Sequence, residues 1–182
     1  GDWSGAAFLL VAGAIAGKVD VLGLNVHSSQ SDRAILSVLE QCGAQLSKNE
    51  EFITCAKGNL QAFHFDASDC PDLFPPLAAL ASQCKGGSII KGTDRLLHKE
   101  SNRALTIQTV LSQLGIKVEL KENEMHIIGG TIKGGTVSSH NDHRIAMMAA
   151  VMGLVASSTI TIEDAEAINK SYPIFYEDLG VG

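Results

Sequence analysis

Cysteine, aromatic side chains and charge are all scarce in this 182-residue chain, and each scarcity excludes a class of protein. The four cysteines (Cys42, Cys55, Cys70, Cys84) lie far apart with no Cys-x-x-Cys pair. That spacing argues against a structural zinc site and for small buried hydrophobes in a reducing compartment, so a cytoplasmic location is expected. No motif calls for a metal or a cofactor, and none is expected. Charged residues make up only 19% and the net charge is −6, with no Lys/Arg-rich block of the kind that tracks a phosphate backbone. Nucleic acid is a poor partner for such a chain. No apolar run reaches the roughly 18 residues that a bilayer demands. The nearest, residues 6–16, is rich in glycine and alanine and has no basic leader, so neither a membrane span nor a signal peptide is expected. What the chain does have is 45% apolar residues and no long polar tract, enough for one sizeable core. It starts at Gly1, already in mid-pattern, and reads as a fragment of a longer protein.

Laid against itself, the chain repeats. Asp2, Asp72 and Asp142 stand 70 residues apart, each heading a similar block: GDWSGAAFLLVAGAIAG, PDLFPPLAALASQCKGG and NDHRIAMMAAVMGLVASS. Each block predicts a helix of small apolar residues closed by glycine or serine, and a β-rich stretch follows each. The same step links Ser31, Ser101 and Ser171. After the first two serines come helices and then hairpin-like pairs, AQLSKNEEFITCAKG and IKVELKENEMHIIGG, each with an Asn-Glu turn. The fold class is therefore α/β: repeated βαβαββ-like units with buried helices around a pseudo-threefold axis, the third copy cut short. Approximate units are 1–60, 61–130 and 131–182, all within one domain.

The repeat also separates architecture from chemistry. An aspartate that recurs in all three copies has helix capping as its default task. Lys99, Glu100, Arg103, His143, Arg144 and Lys170 form a set found once, gathered at equivalent ends of the repeats beside helix starts. Five cationic or potentially cationic groups with carboxylates describe an anion pocket. The plainer readings are a solvated Lys99–Glu100 pair and an intrahelical Glu100–Arg103 pair at i, i+3. His27, His64, His98, His126 and His140 read as ordinary surface residues.

Four strings, DHRIAMMAAVMGL, HKESNRA, DCPDLFPPLAALA and AINKSYPIFYEDL, occur in the same order as in one family. Together with GDWSGAAFLLVAGAI they resemble the C-terminal domain of the enolpyruvylshikimate-phosphate synthase family, over essentially all 182 residues. The resemblance implies the enolpyruvyl transferase fold and a two-domain protein whose N-terminal domain is absent from this chain. It implies transfer of the enolpyruvyl group of phosphoenolpyruvate to the 5-hydroxyl of shikimate 3-phosphate, without a cofactor, on the way to chorismate and the aromatic amino acids. Asp72 would face the shikimate hydroxyls as base, and Glu100 would protonate the methylene carbon. Lys99 would lie on the shikimate phosphate side. Arg103 and Arg144 would grip phosphoenolpyruvate in forked contacts, and Lys170 would meet the departing phosphate. His143 would hold the pocket by hydrogen bonding. Where many members have KETDR this chain has KESNR, which keeps every charged position. Ser28-Ser29-Gln30 looks like the family's shikimate-phosphate motif, but that motif belongs to the other domain, so here a loop leading to a helix cap is expected. The isolated fragment is expected to be nearly inactive. Two alternatives are a UDP-N-acetylglucosamine enolpyruvyl transferase-like enzyme and a non-catalytic anion-binding domain.

Overall fold

A computed structural model describes residues 1–181. The first stretch runs α1 (Trp3–Ala16), β1 (Lys18–Leu22), a 3₁₀ turn (Ser31–Ala34), α2 (Ile35–Cys42), β2 (Gln45–Lys48) and β3 (Phe52–Ala56). The second is a full β-α-β-α-β-β series: β4 (His64–Asp66), α3 (Phe74–Ala81), β5 (Gly87–Lys91), α4 (Arg103–Gln113), β6 (Lys117–Lys121) and β7 (Glu124–Ile128). The third has β8 (Gly135–Ser138), α5 (His143–Gly153) and β9 (Ile160–Glu163). It then ends in a 3₁₀ segment (Ala165–Lys170) and the short α6 (Phe175–Leu179).

Each stretch owns a sheet, ordered β1-β3-β2, β4-β5-β7-β6 and β8-β9. The parallel pairs β4–β5 and β8–β9 are bridged by α3 and α5, as parallel neighbours require a crossover. The hairpins β2–β3 and β6–β7 are antiparallel. The first turns on Asn49, whose side chain accepts from the N–H groups of Glu51 and Phe52. The second turns on Glu122 and Asn123, with Glu122 left-handed at φ 52°, and Glu124 already belongs to β7.

Three helices, α1, α3 and α5, pack on one another in the centre. Their composition explains it: small residues let the axes approach, and nearly every side chain is buried. Gly13 lies where α1 presses against the first sheet. A Cβ there would lie 2.4 Å from the Cys55 carbonyl oxygen and 2.7 Å from Val19 Cγ2. Alanine is the better helix former, yet the backbone contact should dominate. We expect Gly13→Ala to cost about 1–3 kcal/mol, the range for overpacked cores. A urea midpoint equal to or above that of the parent would contradict this.

The four cysteines are buried and unpaired, and burial pushes the Cys55 and Cys70 thiols up to about 12. They are packing residues.

The three recurring aspartates do not share one task. Asp2 caps α1, accepting from the N–H groups of Ser4 and Gly5. Asp142 caps α5 through the N–H of Arg144. Asp72 caps nothing: it sits inside the 3₁₀ turn Pro71–Leu73 that precedes α3. The reason is local. Pro75 and Pro76 have no N–H to offer, while the Leu73 and Phe74 N–H groups already bond the Cys70 and Pro71 carbonyls. Its carboxylate is left free to turn outward. The Ser28–Gln30 loop does lead into the Ser31–Ala34 turn, but Gln30 makes no side-chain cap there; its Oε1 accepts instead from the Trp3 N–H at 3.0 Å, at the start of α1.

Candidate active site

Arg103 is the hub. It opens α4, and no part of its side chain is exposed. Nε donates to Asp142 Oδ2 at 3.0 Å and Nη2 to Asp142 Oδ1 at 3.1 Å, a forked pair. Nη2 also donates to Glu100, and Nη1 donates to Asp72 Oδ1 at 3.1 Å. Four of the five guanidinium N–H groups are thereby engaged. Burial of a charged arginine is tolerable only with partners of this number and quality.

Asp72 gathers the remaining cations. Lys99 Nζ lies 3.3 Å from its Oδ1, and Arg144 Nη2 lies 3.7 Å from its Oδ2. Burial pushes the Asp72 carboxyl up, but the charges of Arg144, Lys99 and Arg103 outweigh it and hold the group below the usual range. Asp142 behaves alike: burial opposes ionisation, and the Arg103 contacts, the Ser101 hydroxyl and the Arg144 N–H more than offset it. Asp32, bonded by the Ser4 hydroxyl, moves the other way because burial and the nearby Asp72 charge disfavour its anion.

The 70-residue repeat therefore brings Asp72, Lys99, Glu100, Arg103 and Arg144 into one cluster. Side-chain exposure runs from 0% at Arg103 through 14% at Arg144 to 28% at Lys99, 32% at Asp72 and 41% at Glu100. The graded exposure points the cluster at solvent on one face, with its arginine anchor beneath. Lys170 stands beside it and outside the ion-pair network, its ammonium donating to the Asn141 carbonyl. Asn141 and His140 are both left-handed, at φ 54° and 53°. That turn swings the Asn141 carbonyl toward Lys170 just ahead of Asp142.

His143 departs from expectation. It is buried, and its Nδ1 has no hydrogen-bond partner among the described residues, so it does not hold the pocket through that atom. Burial and the Arg144 charge depress its pKa; Glu100 and Asp142 oppose this, and Arg103 adds to it. Below the ordinary value of 6.5 the unfolded chain therefore binds more protons than the folded one. Stability on this account is fully present above pH 6.5 and is lost as pH falls through the depressed folded value. Replacing His143 by glutamine should shrink the drop in urea midpoint between pH 7.5 and 5.5; an undiminished drop would assign it to other groups.

Two surface cavities hold none of these residues. One, about 580 Å³, lies between α5 and β9; the other, about 460 Å³, lines the loop at Ser28 to Ser31. Enclosure and chemistry disagree here, and the chemistry is the better guide. The charged cluster forms an open face, as half of a cleft would. Arg95 donates to the Ser68 carbonyl. Sequence reasoning passed over Asp142 and Ser101 as architecture; the only signal available was that a buried arginine needs carboxylates nearby.

Comparison with known proteins follows the same residues. A family model described as EPSP synthase (3-phosphoshikimate 1-carboxyvinyltransferase) matches residues 1–179. A 3-phosphoshikimate 1-carboxyvinyltransferase of Pyrococcus abyssi is 41% identical over 179 residues, 98% of this chain and 43% of that protein. One from Brachyspira hyodysenteriae is 44% identical, over 97% of this chain and 43% of the relative. A solved EPSP synthase from Acinetobacter baumannii superposes with a TM-score of 0.85 at 30% identity, covering 96% of this chain and 44% of that one. The chain thus spans less than half the length of these relatives.

Proposed function

The chain belongs to the EPSP synthase family, and from that premise we propose that it is one of two domains of a 3-phosphoshikimate 1-carboxyvinyltransferase. Its substrates are then phosphoenolpyruvate and shikimate 3-phosphate, bound between this face and the rest of the protein. The observation that carries the reading is the Asp72–Lys99–Glu100–Arg103–Arg144 network on one exposed face. It offers two outward carboxylates and a set of cations, the equipment for moving two protons between polyanions.

Asp72, freed from capping, takes the proton of the 5-hydroxyl as that oxygen bonds to C2 of phosphoenolpyruvate. Glu100, as the general acid, delivers a proton to the C3 methylene, so the double bond becomes the C–H bond of a methyl group in a tetrahedral intermediate. Loss of a C3 proton and departure of phosphate restore the enol ether. Glu100 is held by Arg103 before substrate arrives, so it acts only after letting go. An anion that takes over guanidinium contacts from Glu100 and Asp72 provides that release. Arg144 and the one uncommitted N–H of Arg103 face the phosphoenolpyruvate, Lys99 the shikimate phosphate, and Lys170 the departing phosphate.

Two strand edges support a larger protein. In the middle stretch β5 has a neighbour on each side, whereas among the described residues β1 pairs only with β3, and β9 only with β8. The apolar cavity beside β9, lined by Ala149, Ile160, Ile162 and Tyr176, adjoins such an edge.

The test is the acceptor. ³¹P NMR of the full-length protein that contains this segment should show shikimate 3-phosphate and phosphoenolpyruvate consumed together, with inorganic phosphate released. Turnover with UDP-N-acetylglucosamine in place of shikimate 3-phosphate would overturn the assignment, and no turnover with either acceptor would leave an anion-binding domain.

A further inference from the structure

We infer that Asp142 is the positioning residue for both arginines, an inference that rests on the site reading above. One architectural position occurs three times, and its carboxylate is used in three ways. Asp2 turns both oxygens onto its own helix, toward the Ser4 and Gly5 N–H groups. Asp72 turns neither onto its helix and both onto cations. Asp142 does both at once: Oδ1 accepts from the Arg144 N–H at 3.0 Å and from Arg103 Nη2 at 3.1 Å. Its Oδ2 accepts from Arg103 Nε at 3.0 Å and from the Ser101 hydroxyl at 2.9 Å.

One planar group therefore fixes the backbone from which Arg144 projects and the plane of the Arg103 guanidinium. It joins the start of α4 to the start of α5 across 39 residues of sequence. Capping alone does not account for its placement, because Asp2 caps from an exposed position whereas Asp142 is completely buried. A carboxylate taken wholly out of water needs a charged partner, and that partner is held in turn. With Nε and Nη2 committed to Asp142, the Nη1 edge is the part of Arg103 directed at Asp72.

Asp142→Asn keeps a capping oxygen and removes the charge; Asp2→Asn makes the same change at a position with no arginine. In ¹⁵N spectra of this chain, the Arg103 Nε–H should be slow to exchange, and should stay so in Asp2→Asn but not in Asp142→Asn. In the full-length protein, Asp142→Asn should raise KM for phosphoenolpyruvate roughly 10- to 100-fold, the scale of an ångström-level misplacement. KM for shikimate 3-phosphate should change less than about twofold, and Asp2→Asn should change neither. A protected Nε–H in Asp142→Asn, or an unchanged KM once that protection is lost, overturns the positioning role. If the wild-type full-length protein does not turn over, the reaction reading fails instead. Positioning is then decided by phosphoenolpyruvate affinity in the same variants: weaker binding in Asp142→Asn alone upholds it, and equal binding overturns it.

Discussion

Arg103→Met should cost this chain about 3–5 kcal/mol, the effect of stripping one partner from a buried ion pair. Methionine fills much of the same volume, so little of the loss comes from a cavity. The loss comes from Asp142, which is fully buried and would keep only the Ser101 hydroxyl and the Arg144 N–H as partners. Against a total of about 5–15 kcal/mol for an ordinary domain, that is a large fraction, visible as a shifted urea midpoint. The pH dependence carries the sign. In the parent, the depressed Asp142 carboxyl contributes stability above the ordinary carboxylate value of 3.8, and this is lost as pH falls through its folded value. In the variant the unpaired carboxylate is disfavoured, so acid should relieve the defect and the gap between the two proteins should narrow below about pH 4. Arg103→Lys should fall between, because an ammonium cannot span both oxygens of Asp142 in a fork. A midpoint within experimental error of the parent would mean that Arg103 is not the anchor described here.

Glu100→Gln should act oppositely, leaving the fold and removing the chemistry. The side chain is 41% exposed and, among the described residues, its one ion pair is with Arg103, so the stability change should stay within about 1 kcal/mol. Its amide cannot supply the proton that the methylene carbon requires. In the full-length protein kcat should drop about 10²- to 10⁴-fold, the usual weight of a general acid. The KM for phosphoenolpyruvate should hold or fall, since one negative charge beside the anion has gone. A kcat within about threefold of the parent would remove Glu100 from the proton path and leave it as a tether for Arg103.

Much of this architecture was legible before any coordinates. The 70-residue interval between Asp2, Asp72 and Asp142, with greasy helices behind each, marked the three central helices. What the interval hid was divergence of role at one position. Pro75 and Pro76 were a readable sign that α3 has little for Asp72 to cap, since proline brings no N–H. The double duty of Asp142 was not readable, because it depends on Arg103 arriving from another helix, and on Ser101 with it. The unpartnered Nδ1 of His143 was hidden for the same reason: burial by residues distant in sequence left it without a partner. The charged set read as an anion pocket is, in the folded chain, largely paired with itself. Three cations (Lys99, Arg103, Arg144) pair with three carboxylates (Asp72, Glu100, Asp142), and Lys170 stands beside them as a further cation, in a chain of net charge −6. Under the proposed function, binding of polyanions there would be an exchange of partners, and that exchange would free Glu100.

The central claim is that this face is half of a catalytic cleft, and reconstitution tests it most directly. Phosphate release from phosphoenolpyruvate plus shikimate 3-phosphate would be followed with this chain alone, with the remaining part of the protein alone, and with the two mixed. The account predicts release only in the mixture, abolished when the chain carries Glu100→Gln. A mixture shown to assemble, yet releasing no phosphate, would contradict it.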